Sequence, residues 1–295
     1  MFHIPSTAKK AILAAGATSI ALLAACGPNP NATLPGNTTN VKLNAVAVSE
    51  INPEGSASSS ISLGWDGLGG DVKSIKIFRR LASETDKAVK EISSAPFTNQ
   101  TTLEDKDPSL QAGVDYVYAL RADNANNIAI ISAQSPPVGI IDAKEILTFK
   151  LLEPAKDDEI LKDPLGKGHT FSWEDAGTGL YHVQVSDAAG VVRWGAITKD
   201  TTISYGTQSG TTKQGGISTP ADPKLILPLA LTKKLAISSV APNPARNEVQ
   251  FQGIAGTGNY RLQVSAIETK PNKGDLAGAR SIGIRKATEI RFFAQ

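Results

Sequence analysis

From Val41 onward the chain alternates apolar and polar residues in short runs with a period of two. Ile61-Ser-Leu-Gly-Trp65 and Tyr181-His-Val-Gln-Val185 are the clearest cases. Successive side chains on a strand point to opposite faces, so this pattern suits a strand with one face in a core. Further runs are Leu43/Ala45/Ala47, Val72/Ile75/Ile77, Val89 to Ile92 and Tyr116/Tyr118/Leu120. Turn residues separate them, at Asn52-Pro-Glu-Gly55, Gly67 to Asp71 and Asp123-Asn124. With Gly 26 and Pro 17 in 295 residues, the composition also favours many turns over long helices. The expected fold class is all-β, as tandem immunoglobulin-like β-sandwiches.

Residues 41–142 carry a more specific signature. Trp65 ends Ser60-Ile-Ser-Leu-Gly-Trp65, an aliphatic run ends in Arg79-Arg80, and Leu110 stands six residues before Tyr116. This set resembles the fibronectin type III family. The resemblance implies that Trp65 fills the space between two sheets, that Leu110 belongs to the core, and that the Tyr116 hydroxyl bonds backbone upstream. The chain departs from the family at Ala112, where proline is usual, and at Val114, where threonine is frequent.

From residue 143 the same grammar restarts. Leu147 to Leu152, Thr170 to Trp173, Tyr181 to Ser186, Val191 to Gly195, Thr201 to Tyr205, Tyr260 to Ser265 and Glu289 to Ala294 read as strands. Trp173 repeats the position of Trp65 and is expected in a core. A second sandwich over 143–295 follows, with an insertion about 206–258 that is rich in Gly, Thr and Pro. Leu235 to Val240 with Val249 to Phe251 is an alternative hairpin within it.

The N-terminus has a different character. Lys9-Lys10 precedes the apolar run Ala11 to Ala25, which is too short to span a bilayer and has the form of a signal peptide, residues 1–25. It closes with Leu23-Ala-Ala-Cys26-Gly27, which resembles the bacterial lipobox. The resemblance implies cleavage between Ala25 and Cys26 and a diacylglyceryl group on the Cys26 sulfur. Two or more acyl chains anchor a protein stably. Gly27 rather than Asp favours the outer membrane. Residues 26–40 then form a flexible tether reaching about 45 Å when extended.

Cys26 is the single cysteine, so no disulfide forms within the chain. Without Lys9 and Lys10 the acidic and basic residues balance at 28 each, which removes any charge-based case for nucleic acid.

Candidate chemistry is sparse. His169 and His182 are too few for a zinc site at diagnostic spacing, and His182 is expected on the outer face of a strand. Glu153 to Asp163 holds five carboxylates but lacks the ligand alternation of a calcium loop, so it reads as a solvated loop. Gly166-Lys-Gly168 lacks the upstream glycine of a phosphate loop. No nucleophile elbow is present. Trp194, after Arg193, is expected to be partly exposed and able to stack on a ligand.

No metal or other cofactor is expected. The expected function is non-enzymatic: a lipid-anchored envelope protein displaying sandwiches that bind a protein or glycan. A structural subunit of a surface layer or pilus-type assembly is the alternative, and a hydrolase with a site in the 206–258 insertion is a third.

Overall fold

A computed structural model describes residues 41–295 except 67, 85–88, 158, 162–169, 205–228, 236–247 and 252–256. The expected signal peptide, Cys26 and the tether lie outside the described residues. So do His169, the Gly166 to Gly168 segment and most of the insertion.

The chain is nearly all β. In the first half, β1 (Leu43–Ile51), β2 (Ala57–Trp65) and β5 (Thr102–Asp105) pair antiparallel in the order β1-β2-β5. Facing them, β4 (Lys90–Pro96), β3 (Ser74–Leu81), β6 (Asp115–Asp123) and β7 (Ala129–Gln134) pair in the order β4-β3-β6-β7. The short β8 (Val138–Gly139) continues along the start of β6. Alternation fills the space between. Leu43, Ala45, Ala47, Ile61, Leu63 and Trp65 meet Ile75, Ile77, Tyr118 and Leu120 in one buried cluster. Each large side chain contributes about 1.5–3 kcal/mol on burial.

The second half repeats this plan. β9 (Leu151–Glu153), β11 (Thr170–Trp173) and β14 (Thr202–Ser204) form one sheet, in the order β14-β11-β9. Opposite stand β12 (Leu180–Asp187), β13 (Val192–Thr198), β15 (Glu248–Phe251) and the long β16 (Gly258–Lys270), ordered β15-β13-β12-β16. Phe171, Trp173, Tyr181, Val183, Trp194, Leu262, Val264 and Phe292 fill the space between the two sheets.

The two halves share a sheet. The first part of β16 pairs with β18 (Ile290–Ala294), and the second part with β17 (Ser281–Lys286). On its other edge β17 runs parallel to β1, with Ala47 opposite Ser281 and Ile51 opposite Arg285. One 10-stranded sheet therefore crosses both sandwiches. Ile51 belongs to the second core although its strand belongs to the first sandwich.

The segment joining the halves crosses the inner face of this junction. Ile141 and Ile146 pack against Gly283, where a Cβ would stand 2.9 Å from Ile141 Cγ2 and 2.8 Å from Ile146 Cδ1. Ser49 Oγ donates to the Ile141 carbonyl at 3.1 Å, and Gly139 N–H donates to Ser281 Oγ at 3.2 Å. Lys270 pairs with Glu145, and Lys286 with Glu50, both at 2.7 Å.

The outer face of the large sheet is covered too. Helix α1 (Leu229–Lys234) and the residue after it lay Ala230, Leu231 and Leu235 on Leu180, Ile197, Ile267, Ile282 and Ile284. Gln184 Nε2 donates to the Leu235 carbonyl at 3.0 Å. Within the insertion, then, residues 229–234 are helical, and Glu248–Phe251 is an added strand beside β13. Residues 236–240 of the alternative hairpin lie outside the described residues.

Several strand expectations shift. Leu147–Leu152 shortens to β9, with Phe149 and Leu151 turned into the core and Leu147 and Leu152 exposed. The acidic segment is not wholly a loop. It contains β10 (Glu159–Leu161), paired in parallel with β18, and Asp157 accepts from Arg291 at 2.6 Å. Backbone pairing to the last strand decides this, and the local run of charge does not reveal it.

Candidate functional site

Where four connections meet at the junction, they leave a half-open cleft of about 240 Å³. Its walls are Pro53, Thr148 to Lys150, Glu174 and Arg285 to Thr288. Pro53 comes from the first sandwich, in the turn closed by Gly55 N–H to the Asn52 carbonyl at 2.9 Å. The other walls belong to the joining segment and the second sandwich.

Each wall has a local cause. Phe149 is buried and meets Tyr181 edge-on at 6.0 Å, so Thr148 and Lys150 on either side face outward. Lys150 N–H donates to Glu174 Oε2 at 3.0 Å, and Glu174 N–H donates to the Lys150 carbonyl at 2.9 Å. The far wall is the end of β17 and the connection from it to β18. There Ala287 N–H donates to the Val264 carbonyl at 2.9 Å, and Gln263 Nε2 donates to the Ala287 carbonyl at 2.6 Å. Arg285, Lys286 and Thr288 line this side, with Thr288 exposed and the Lys286 ammonium paired to Glu50.

The lining is rich in donors. Lys150 supplies an exposed ammonium, and Thr148 and Thr288 supply exposed hydroxyls. Lys286 is held by Glu50. Among the described residues, the Lys150 ammonium has no ion-pair partner. The lining carboxylate, Glu174, is already engaged by a backbone N–H. The arrangement offers an exposed ammonium and hydroxyls to a polar group.

A second polar cluster lies buried in the first sandwich. Arg79 Nη1 donates to Asp105 Oδ2 at 2.7 Å, and the Tyr118 hydroxyl donates to the same oxygen at 2.8 Å. Arg79 Nη2 donates to Ser109 Oγ at 2.9 Å and reaches Asp107, which also pairs with Lys90. Burial opposes the Arg79 charge, but Asp105 outweighs it and raises its pKa. Burial and the neighbouring Asp105 carboxylate push the Tyr118 hydroxyl pKa up. Lys90, with the Ser109 bonds, holds the Asp107 carboxyl well below its usual range. The partners saturate one another, which is the pattern of a structural network.

The residues singled out from sequence fall as follows. Trp65 and Tyr116 are buried, and Leu110 packs against their cluster. The Tyr116 hydroxyl accepts from Gln111 N–H at 2.9 Å. Trp173 is buried 5.4 Å from the Tyr181 ring. Tyr181 makes the same five-residue backward bond, accepting from Ala176 N–H at 2.9 Å and donating to Asp175 at 2.6 Å. Burial and that bond to Asp175 push its pKa up to about 12.

Trp194 is corrected. It is 0% exposed and faces Phe171 between the sheets at 6.4 Å, so it cannot stack on a ligand. Arg193 points the other way and pairs with Asp187 across the hairpin at 2.7 Å. Across the hairpin Trp194 stands opposite the buried Val185, a pairing set by a bulge beside Val185 that the sequence pattern does not reveal. His182 is on the outer face as expected but is fully buried. Burial, with some help from Lys286, lowers its pKa to about 3. The cleft residues escaped sequence reading because they sit on segments far apart in the chain and share no local motif.

Among the described residues no group of three or more His, Cys, Asp or Glu is placed to hold a metal ion. Nor is any helix among them long and apolar enough to cross a membrane. No family model matches this chain. No curated protein matches it either. Among solved structures it is similar to a point mutant of CfaE, the CFA/I enterotoxigenic E. coli adhesin, at 9% identity over 91% of this chain and 95% of that one. The TM-score is 0.18, far below the level of a shared fold.

Proposed function

We propose that this chain is a lipid-anchored protein of the bacterial cell envelope that displays two joined β-sandwiches to bind a protein or glycan, without catalysing a reaction. The observation that carries the binding reading is the junction cleft, walled by both halves and held in shape by the shared sheet. A site set on paired strands needs little ordering when a ligand arrives, which favours affinity. The Leu23-Ala-Ala-Cys26 motif supports the anchor. The fibronectin type III resemblance is supported by the split into β1-β2-β5 and β4-β3-β6-β7 and by the Tyr116 bond to Gln111.

The structural-subunit reading has one observation in its favour. Ile128, just before β7, and Ile130, within it, are exposed at 58% and 37% at the margin of the sheet. Apolar sheet margins are places where further strands add.

The test is mass and fractionation of the wild type beside Cys26→Ala in a bacterium that processes lipoproteins. The expected wild type starts at Cys26, carries acyl mass and sediments with membrane, while the variant does none of these. Identical behaviour of the two removes the anchor and the envelope assignment with it.

A further inference from the structure

We propose that residues 229–235 form an acid-released strap over the outer face of the shared sheet, freed by protonation of His182 beneath them. The strap lays Ala230, Leu231 and Leu235 on an apolar face drawn from both halves, which includes Val48, Ile197 and Ile282. His182 sits inside that footprint. Leu180 and Gln184 flank it on its own face of β12; Leu180 belongs to the same cluster, and Gln184 bonds the Leu235 carbonyl at 3.0 Å. Ile197 of β13 stands opposite it on one side and Ser265 of β16 on the other. The ring is fully buried, and neither nitrogen has a hydrogen-bond partner. A neutral imidazole carries one donor and one acceptor, so this position is costly already, and a cation there costs far more. The surrounding charges give no relief. Lys286 follows Ser265 across the sheet, pairs with Glu50 at 2.7 Å and opposes a proton on the ring. The charged residues of the strap, Lys233 and Lys234, are also cations, and Lys234 interacts with Glu104 on β5.

Acid opens whichever cover costs least to open. The helix of the strap has six residues, where about 12–15 are needed to persist alone. Among the described residues it is held by three apolar side chains and the Gln184 bond, whereas β12 is laddered to a strand on either side. The closed state holds the His182 pKa at about 3 against an ordinary 6.5, so closure is full above pH 6.5 and is lost as pH falls towards 3. Each pH unit in that window favours the open strap by about tenfold.

The test is hydrogen exchange of the detergent-solubilised full chain between pH 7 and pH 4.5, read by mass spectrometry as protection factors, which remove the pH dependence of exchange itself. Protection of the strap is expected to lie at least about tenfold below that of β12 at every pH, and to fall about tenfold per pH unit as the pH drops. His182→Leu and His182→Gln are neutral at every pH, and each should flatten the slope of the strap; two variants are used so that one that fails to fold does not end the test. Lys286→Gln removes the opposing charge and leaves Glu50, so the loss should begin at a higher pH. Strap protection that is constant with pH, an undiminished slope in the His182 variants, or an onset moved to lower pH by Lys286→Gln overturns the proposal. Equal protection of the strap and β12 also overturns it, because the two then open together and nothing is released locally.

Discussion

The side chain of Ile146 lies over Gly283 so closely that a Cβ there would stand 2.8 Å from its Cδ1. Gly283 is in β17, which bridges the sandwiches, and Ile146 is in the segment that joins them. The contact therefore lies where both halves depend on it. Gly283→Val is expected to destabilise the chain by about 1–3 kcal/mol, the usual cost of overpacking. Gly64→Ala, in open space on β2, should be neutral or slightly stabilising. Urea midpoints of the two variants check this; equal midpoints would mean that the joining segment moves aside freely.

Tyr116 and Tyr181 each reach back five residues to a backbone N–H. Tyr116→Phe should cost about 1 kcal/mol, the net worth of one hydrogen bond. Tyr181→Phe should cost more, because it also strands Asp175 without the hydroxyl donor. Thermal denaturation of both variants ranks them; a larger loss for Tyr116→Phe contradicts the account.

Arg79 and Asp105 are a buried pair sharing one carboxylate oxygen with Tyr118. Removing one partner leaves an uncompensated charge, so Asp105→Ala should cost about 3–5 kcal/mol. Replacing both, as Arg79→Met with Asp105→Leu, should recover much of that loss. A double-mutant cycle by urea unfolding measures the coupling, and additive losses would show that the pair acts as two separate groups.

His182 gives the stability a pH dependence with a defined sign. Its pKa is about 3 in the folded chain against an ordinary 6.5. Below 6.5 the unfolded chain binds a proton that the folded chain refuses, so stability is full above pH 6.5 and falls as pH drops towards 3. The loss is about 1.4 kcal/mol per pH unit in that window. His182→Leu should flatten the urea midpoint between pH 7 and pH 5 relative to wild type. An unchanged slope would place the acid sensitivity elsewhere.

Trp194 should behave as core. Trp194→Ala is expected to cost about 3–5 kcal/mol in stability. Trp194→Phe should bind ligand as wild type does once folded, and a selective loss of binding by Trp194→Phe would return this residue to a contact role.

Alternation was enough to read the all-β class, because a strand's two-residue period is a local property of the backbone. It also marked Trp65, Tyr116 and Trp173 as inward positions. Local pattern cannot say what covers a strand's second face. His182 occupies an outward position in β12, yet it is fully buried, on a face where α1 packs from more than forty residues away. Glu159 to Leu161 reads as an acidic loop, yet it pairs with the last strand.

The sequence by itself determined the repeated sandwich grammar, the turn positions, the lone cysteine in its lipobox-like setting and the balanced charge. Only the tertiary structure decided that β17 pairs with β1, because backbone pairing between distant segments leaves no mark in side-chain periodicity. That one parallel pairing merges two sheets into one and sets Pro53 beside Lys150 and Arg285. The cleft exists because of it.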